Sequence, residues 1–327
     1  MSAEVGAPSA VPAAAHDSGD APPPDAGAPA LGRERGLWRD ALRETFRKTS
    51  ARIGGVLLSI ILALAALAPV IAPHSPTEPL LIGGKVAKSI KPCIHLLGCA
   101  ASKPQFIMGT DKNGRDVFSR IVFGSRISLL AGAAAVVFAL VVGVALGLVA
   151  GYRAGWLGNV IMRIMDVLLA FPSLLLAITI VTVLGPGLLN AIIAISVVTI
   201  PVYARVVRAS VLSIKEQEFV TADRALGVRG PRLVLHRILP NALTPLVVQA
   251  TLGFATAVLD VAGLSFLGLG VRPPKAEWGS MIAGSRDVVF TSPHQVFFPG
   301  VMILINVLAF NLIGDGLRDA LDPRLNR

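Results

Sequence analysis

The chain has 327 residues, of which 54% are hydrophobic and only 15% are charged, and its mean hydropathy is +0.69. This composition is too apolar for a soluble globular domain, so membrane lipid is the expected solvent for most of the chain. The net charge of +10 does not indicate nucleic-acid binding, because no basic patch is interleaved with stacking aromatic residues.

The N-terminal region divides into two segments of different composition. Residues 1–32 are dominated by Ala, Pro, Gly, Ser and Asp without apolar periodicity. They cannot bury enough apolar surface to offset the entropy of ordering, so we predict a disordered tail. In residues 33–52, apolar residues including Leu37, Leu42 and Phe46 recur at helical spacing opposite a basic face. This pattern predicts an interfacial helix along the cytoplasmic leaflet, with a solvated stem as the alternative.

Six later stretches are apolar and long enough to cross a bilayer, which requires roughly 20 mostly apolar residues. They are residues 53–71, 127–150, 161–184, 188–207, 246–269 and 296–313. We therefore predict an all-α polytopic membrane protein with about six transmembrane helices.

The distribution of basic residues predicts the orientation of these helices. An even number of crossings places both termini on one side, and the excess of Lys and Arg in residues 33–52 and 205–237 is typical of cytoplasmic segments. Residues 72–126 would then form an extracytoplasmic loop, which is itself basic but long enough to escape this rule. Residues 127–313 would form a five-helix core, followed by a cytoplasmic tail, 314–327.

The second predicted span carries a small residue at every fourth position. These residues are Ala131, Ala135, Ala139, Gly143, Gly147 and Gly151. Small residues allow two membrane helices to approach closely, so the pattern predicts packing against another helix along this stripe.

The motifs of catalytic sites are absent. The sequence contains no GxxxxGK[ST] phosphate loop, no GxSxG elbow and no HExxH pair. We therefore predict that the chain is not an enzyme and holds no cofactor or metal of its own. Energy for transport would come from another subunit or from a gradient. A gradient-driven transporter should carry paired ionisable residues near mid-membrane and an inverted repeat, which the sequence does not show.

A polar segment, residues 208–245, separates the fourth and fifth predicted spans. A first short helix, 216–226, should end at Gly227, which can adopt a left-handed cap, and Pro231 suits the first turn of a second helix. Pro240 and Pro245 would then turn the chain back into the membrane. Such a helix-turn-helix could serve as a rigid handle, although a basic cytoplasmic loop is often only a signal of topology.

Residues Phe219-Val-Thr-Ala-Asp-Arg-Ala-Leu-Gly227, followed by His236-Arg-Ile-Leu-Pro-Asn241, resemble the coupling loop of ABC-type importer permeases. The family pattern is EAA, three residues, Gly, and a Leu-Pro farther on. The chain departs from it at Thr221 and Asp223, where the family usually has Glu and the second Ala.

Four further stretches resemble the C-type permease of the dipeptide/oligopeptide branch of that family. They are residues 108–120 (MGTDKNGRDVFSR), 263–270 (GLSFLGLG), 273–279 (PPKAEWG) and 314–324 (GDGLRDALDPR). The resemblance runs from about residue 50 to the C-terminus.

The resemblance implies several partners: a related second permease, two cytoplasmic ATPase subunits that bind ATP and Mg, and an extracytoplasmic solute-binding protein. The permease pair would work by alternating access. Peptides are the expected cargo, and the same branch also handles nickel, glutathione and other small solutes.

The resemblance also assigns roles within the polar segment. Residues at the groove of the ATPase would be Thr221, Ala222, Asp223, Ala225 and Gly227. Leu239 and Pro240 would fix the return of the chain.

Asp260 lies in the fifth predicted span, where an ionisable group is costly unless it faces a cavity or a partner. One hypothesis places it on the solute path. The alternatives are a structural pair with a basic residue and a position near the outer interface.

Cys93 and Cys99 are the only cysteines, and both fall in the predicted extracytoplasmic loop. An oxidising exterior favours a disulfide between them. Free thiols, or a metal site that includes His95, are the alternatives. The nearby charged segment 109–126 is expected to be an amphipathic helix leading into the second span, with contact to the binding protein as a minority hypothesis.

Overall fold

The computed structural model describes residues 43–321, apart from positions 83, 96, 97, 101, 103, 154 and 229. The predicted tail 1–32 and most of the predicted interfacial helix 33–52 lie outside the described residues. Within the latter segment, residues 43–45 are helical, and the chain turns before the first long helix begins at Thr49.

The helices and strands follow one another in this order: α1 Thr49–Ala66, α2 Ala68–Ile71, β1 Leu81–Ile82, β2 Lys85–Val86, α3 Val117–Tyr152, α4 Trp156–Leu169, α5 Ser173–Leu184, α6 Leu188–Ile214, α7 Glu218–Ala225, α8 Gly230–Leu233, α9 Leu239–Phe266, α10 Trp278–Gly284 and α11 His294–Leu321. A π-helical turn, Val234–Ile238, joins α8 to α9, and a 3₁₀ turn, Arg286–Val288, precedes α11. The two strands pair as a small antiparallel hairpin.

Five helical segments of the described chain are long and apolar enough to cross a membrane, and α4 with α5 forms a sixth if the pair is one span. The predicted count of about six is therefore confirmed. The prediction of an unbroken helix over residues 161–184 is wrong, because α4 and α5 meet at a bend of 95°. Pro172 lacks a backbone N–H and disfavours helical geometry at Phe171, so the helix stops there.

The centre of the bundle is the contact between α3 and α6, which lies along the predicted stripe of small residues. A Cβ atom on Gly143 would lie 2.7 Å from Tyr203 Cβ, and one on Gly147 would lie 2.6 Å from the Ala204 carbonyl oxygen. The hydroxyl of Ser196 donates a hydrogen bond of 3.1 Å to the Ala135 carbonyl oxygen across the same contact. The predicted close packing along the stripe is therefore confirmed.

The helix that contains α9 is longer than the sequence suggests. It runs from Gly230 to Phe266 through the π turn, so the chain does not turn at Pro240 or Pro245. The Leu239 N–H donates to the carbonyl oxygen of Val234, five residues back. A proline ring would clash with the carbonyl four residues before it in a regular helix, and the wider π turn precedes Pro240.

Other helices also extend beyond their predicted limits. α1 begins at Thr49, whereas the first span was predicted over 53–71, and α3 begins at Val117 inside the predicted loop 72–126. α6 continues to Ile214 and α11 to Leu321, into the predicted coupling loop and tail. These extensions contain polar and charged residues, so a search for apolar stretches does not include them.

The two ends of the bundle differ in character. One end, the α7 end, carries α7, α8 and the C-terminal ends of α3 and α6. The opposite end carries the hairpin and the segments before α3 and around α10. At that end the Asp116 carboxylate accepts a hydrogen bond of 2.9 Å from the Ser119 N–H and so caps α3. Arg126 donates to the carbonyl oxygens of Ala65 and Ala66 at the end of α1.

Candidate functional site

The predicted coupling segment forms a short helix, α7, that ends in a Schellman cap. Gly227 has φ of +80°, and its N–H donates to the Arg224 carbonyl oxygen at 3.0 Å. The N–H of Val228 donates to the Asp223 carbonyl oxygen, also at 3.0 Å. Both bonds satisfy carbonyls at the end of the helix, and a left-handed residue is needed to make them. The predicted capping role of Gly227 is therefore confirmed by its backbone.

α7 is anchored to the bundle by one side chain and leaves the rest of its surface open. Val220 is 0% exposed and belongs to the same buried cluster as Val211 and Leu233. By contrast, Leu226 is 82% exposed and Phe219 is 41% exposed. Apolar side chains that this chain does not cover, carried on an anchored helix, are typical of a protein contact surface.

The structure brings most of the predicted coupling residues onto this one helix. Thr221, Ala222, Ala225 and Gly227 are exposed, and Asp223 is half-buried. Leu239 and Pro240 lie instead at the start of α9, beyond the π turn. They therefore lie outside α7, where Leu239 is half-buried and Pro240 is exposed.

An ion pair connects α7 to the π turn. The Arg237 Nε lies 2.9 Å from a carboxylate oxygen of Asp223, whose side chain is only 16% exposed. The Asn241 side-chain amide donates to the Arg237 carbonyl oxygen at 2.6 Å, which extends the connection into α9. These two contacts therefore link α7 to the helix that continues through α9.

Arg237 and Leu226 were not among the predicted coupling residues. Arg237 falls in the quoted motif, but its partner becomes evident only when the π turn brings it beside α7. The exposure of Leu226 has no sequence signal, since an apolar residue next to a capping glycine is more often buried.

Reversing the charge at Asp223 should weaken the connection between α7 and the π turn. Exchanging the two charged residues should restore part of it. Asp223→Arg places two cations side by side and should weaken the connection by about 1 kcal/mol, since Arg237 is half exposed to solvent. Limited proteolysis of the purified subunit in detergent should cleave the segment from α7 to the π turn faster in Asp223→Arg, and the rate should recover in Asp223→Arg/Arg237→Asp. A double variant no better than the single one would show that the pair does not carry the connection.

Asp260 is half-buried on α9 and makes no hydrogen bond or ion pair within the described part of the chain. The structure thus offers no basic partner for it among those residues. Thr256 and Leu259, close to it on the helix, are exposed. α9 continues six residues past Asp260 to Phe266, which corresponds to about 9 Å of helix.

Cys93 and Cys99 are joined by a disulfide in the structure, with their Cα atoms 5.5 Å apart. The backbone of Cys93 also pairs with that of Phe106, at 2.8 and 2.9 Å. In the described residues no group of three or more His, Cys, Asp or Glu side chains is placed to hold a metal ion.

Intact-mass measurement of the purified, unreduced chain should detect no alkylation at Cys93 or Cys99. After reduction, two alkyl groups should be added. Two modified thiols before reduction would exclude the bridge in the mature protein.

Comparison with known proteins now identifies the family. Residues 143–327 match the family described as the binding-protein-dependent transport system inner membrane component. The chain belongs to this family. Residues 36–82 of this permease also match the N-terminal TM domain of oligopeptide transport permease C.

Curated relatives cover almost the same length as this permease. It is 44% identical to the dipeptide transport system permease protein DppC of Alkalihalophilus pseudofirmus, over 88% of this chain and 90% of the relative. It is 46% identical to the di/tripeptide transport system permease protein DppC of Pseudomonas aeruginosa, over 86% of this chain and 91% of the relative. It is 38% identical to the glutathione transport system permease protein GsiD of Pectobacterium atrosepticum, over 88% of this chain and 91% of the relative.

Among solved structures, the permease resembles inward-facing conformations of the MetNI methionine ABC transporter. The TM-score is 0.51 at 22% identity, covering 62% of this chain and 96% of that chain. This likeness shows that the permease has the fold of an ABC importer permease.

Proposed function

We propose that this permease is one of two related membrane subunits of an ATP-driven importer of dipeptides and oligopeptides. The observation that supports this proposal best is the geometry of α7. The helix is anchored by Val220, capped at Gly227 and tied to the π turn by Asp223, while Leu226 projects from it. A partner protein that binds this helix tightly can move the transmembrane helices connected to it.

The partner at α7 would be one of two cytoplasmic ATPase subunits, which bind ATP and Mg. ATP-driven closure of the ATPase pair would displace α7, and the permease pair would alternate between inward and outward access. This assignment places the α7 end and both termini in the cytoplasm. An extracytoplasmic binding protein would then deliver solute to the opposite end.

The proposed cargo rests on the relatives. Those named for dipeptide or di/tripeptide transport are 44% and 46% identical, whereas the one named for glutathione transport is 38% identical. Peptide import is therefore better supported than import of glutathione, nickel or another small solute.

Uptake by the reconstituted complex tests the function directly. Proteoliposomes that contain both permeases and both ATPases, supplied with binding protein, should accumulate labelled dipeptide with ATP and not with a non-hydrolysable analogue. Excess unlabelled dipeptide should compete, and glutathione or nickel should not. Accumulation driven by an ion gradient without ATP would refute the proposal.

We further propose that Asp260 faces the solute path between the two permeases. It is half-buried and has no partner among the described residues, and the neighbouring face of α9 is left uncovered by this chain. An ionisable group inside a span usually faces a cavity or a partner. Asp260→Asn should lower dipeptide uptake about tenfold, equivalent to about 1.4 kcal/mol. Unchanged uptake at equal complex abundance would remove Asp260 from the path.

A further inference from the structure

An apolar groove lies between the C-terminal part of α3 and the segment formed by α8 and the π turn. Its volume is about 440 Å³, which is within the roughly 300–1,000 Å³ of small-molecule sites. The proposed orientation places the groove at the cytoplasmic end of the bundle. Its apolar lining residues include Ala145, Leu148, Val149, Pro231, Val234 and Leu235.

The groove opens toward the surroundings of the bundle. Leu235 is 56% exposed, Val149 is 39% exposed, and Ala145 is also exposed. The exposed apolar face of α3 continues beyond the groove to Val141, which is 66% exposed. Residues 141–152 correspond to about 17 Å of helix, compared with roughly 15 Å for the hydrocarbon of one bilayer leaflet. The groove and the adjoining face of α3 therefore match the length of an acyl chain in one leaflet.

The end of the groove nearest the cytoplasm is cationic. Arg153 follows the last residue of α3 and lines the groove, and its side chain makes no hydrogen bond or ion pair with the residues that the structure describes. Arg232 lines an adjoining depression that shares Pro231 with the groove, and its side chain also lacks a partner among those residues. Both arginines are exposed and are therefore open to an external anion.

Tyr152 lines the groove beside Arg153. A Cβ atom on Gly230 would lie 2.8 Å from the Tyr152 hydroxyl oxygen, so α3 and the start of α8 approach closely here. The hydroxyl makes no hydrogen bond within the described part of the chain. A tyrosine with an apolar ring and an available hydroxyl is typical of the level at which a bilayer meets water.

We propose that this groove binds an anionic phospholipid of the cytoplasmic leaflet. The acyl chain lies along the apolar lining, and the phosphate is held by Arg153 and Arg232. The inference rests on the proposed function for its side of the membrane, but not for its cargo.

Charge complementarity selects this occupant. A guanidinium group binds phosphate oxygens well, and basic pockets beside transmembrane helices on the cytoplasmic side are suited to anionic headgroups. A zwitterionic lipid also carries a cation, which the two arginines would repel. An apolar helix of a partner subunit would cover the groove but would supply no anion for Arg153 and Arg232.

A lipid in this position contacts two parts of the chain at once. One is α3, and the other is the segment from α8 to the π turn. Arg237 of that π turn pairs with Asp223 of α7. The lipid therefore adds a contact with the membrane beside the coupling segment.

The test is native mass spectrometry of the complete transporter in micelles that contain phosphatidylglycerol and phosphatidylcholine with the same acyl chains. The unmodified complex should retain phosphatidylglycerol preferentially. In Arg153→Gln/Arg232→Gln, one fewer phosphatidylglycerol should be retained per complex. Ala145→Trp fills the groove and keeps both cations, and it should cause the same loss. This second variant tests the groove even if the first does not fold.

Arg318→Gln is the matched control. It removes an exposed arginine near the C-terminal end of α11, outside the groove, and should leave the number of retained lipids unchanged. The measurement requires neither ATP nor cargo. Loss of dipeptide uptake with normal lipid retention would therefore count against the proposed function and not against the lipid site.

Four outcomes would overturn the lipid proposal. The first is equal retention of the two lipids by the unmodified complex. The second is unchanged retention of phosphatidylglycerol in Ala145→Trp. The third is displacement of phosphatidylglycerol by an equal concentration of glycerol phosphate, which would assign the arginines to a soluble phosphate. The fourth is efficient crosslinking of Ala145→Cys to another subunit, which would assign the groove to a protein partner.

Discussion

Gly147→Leu is expected to destabilise the helix bundle strongly. A Cβ atom at this position would lie 2.6 Å from the Ala204 carbonyl oxygen and 2.7 Å from Val207 Cβ, so the clash involves the backbone of α6 as well as a side chain. Neither can move without separating α3 from α6, which is the central contact of the fold. We expect a loss of about 3 kcal/mol or more, which is a large fraction of the roughly 5–15 kcal/mol by which proteins are typically stable.

Gly300→Leu is the matched control for this prediction. Gly300 also lies within a long helix, α11, but a Cβ atom there would meet nothing within 4 Å. Leucine is the better helix former by about 1 kcal/mol, so this variant should retain its stability. For both variants, the stability is measured as the fraction of protein that remains monodisperse in size-exclusion chromatography after heating in detergent. Equal melting of Gly147→Leu and the unmodified chain would contradict the packing described for α3.

Leu226→Asp is expected to reduce ATP-driven uptake strongly while leaving the subunit folded. The side chain is 82% exposed, so the substitution removes almost no contact within this chain. In the assembled transporter, however, a carboxylate would replace an apolar group at the proposed ATPase groove. Burying an unpaired charge there is costly, and we expect uptake to fall by about tenfold or more.

The conservative variant Leu226→Met is the control that distinguishes the loss of an apolar contact from a disturbance of α7 itself. Methionine preserves apolar surface and helix propensity, so it should retain most uptake. Both variants should show the same thermal stability as the unmodified subunit in detergent. If Leu226→Asp supports normal uptake, the tip of α7 is not part of the coupling contact.

Local chemistry explains why part of the coupling segment could be predicted. A left-handed glycine cap and a proline in the first helical turn are consequences of a few neighbouring residues, so Gly227 and Pro231 could be placed from sequence alone. The small residues at every fourth position of α3 likewise identify their own packing face. These features need no knowledge of distant parts of the chain.

Other features depend on contacts that sequence spacing does not reveal. Apolar windows treat residues 161–184 as one span, although Pro172 places a 95° bend within them. The π turn before Pro240 brings Arg237 beside Asp223 and keeps α8 continuous with α9. The cavity lined by Asp111, Arg115 and Lys275 combines residues from the segment before α3 and its first turn with residues around α10, which are more than 150 positions apart.

Cysteine crosslinking at α7 tests the central claim most directly. The sequence has only two cysteines, which the structure pairs with each other, so Ala222→Cys introduces a new thiol on the exposed face of α7. In the assembled transporter, a short bifunctional reagent should join this position to an ATPase subunit, and the yield should change when ATP is bound. Ala209→Cys, exposed on α6 near the same end, is the control and should give little product. If Ala222→Cys never crosslinks to an ATPase, or reacts only with reagents confined to the extracytoplasmic side, the account of α7 as the coupling helix is contradicted.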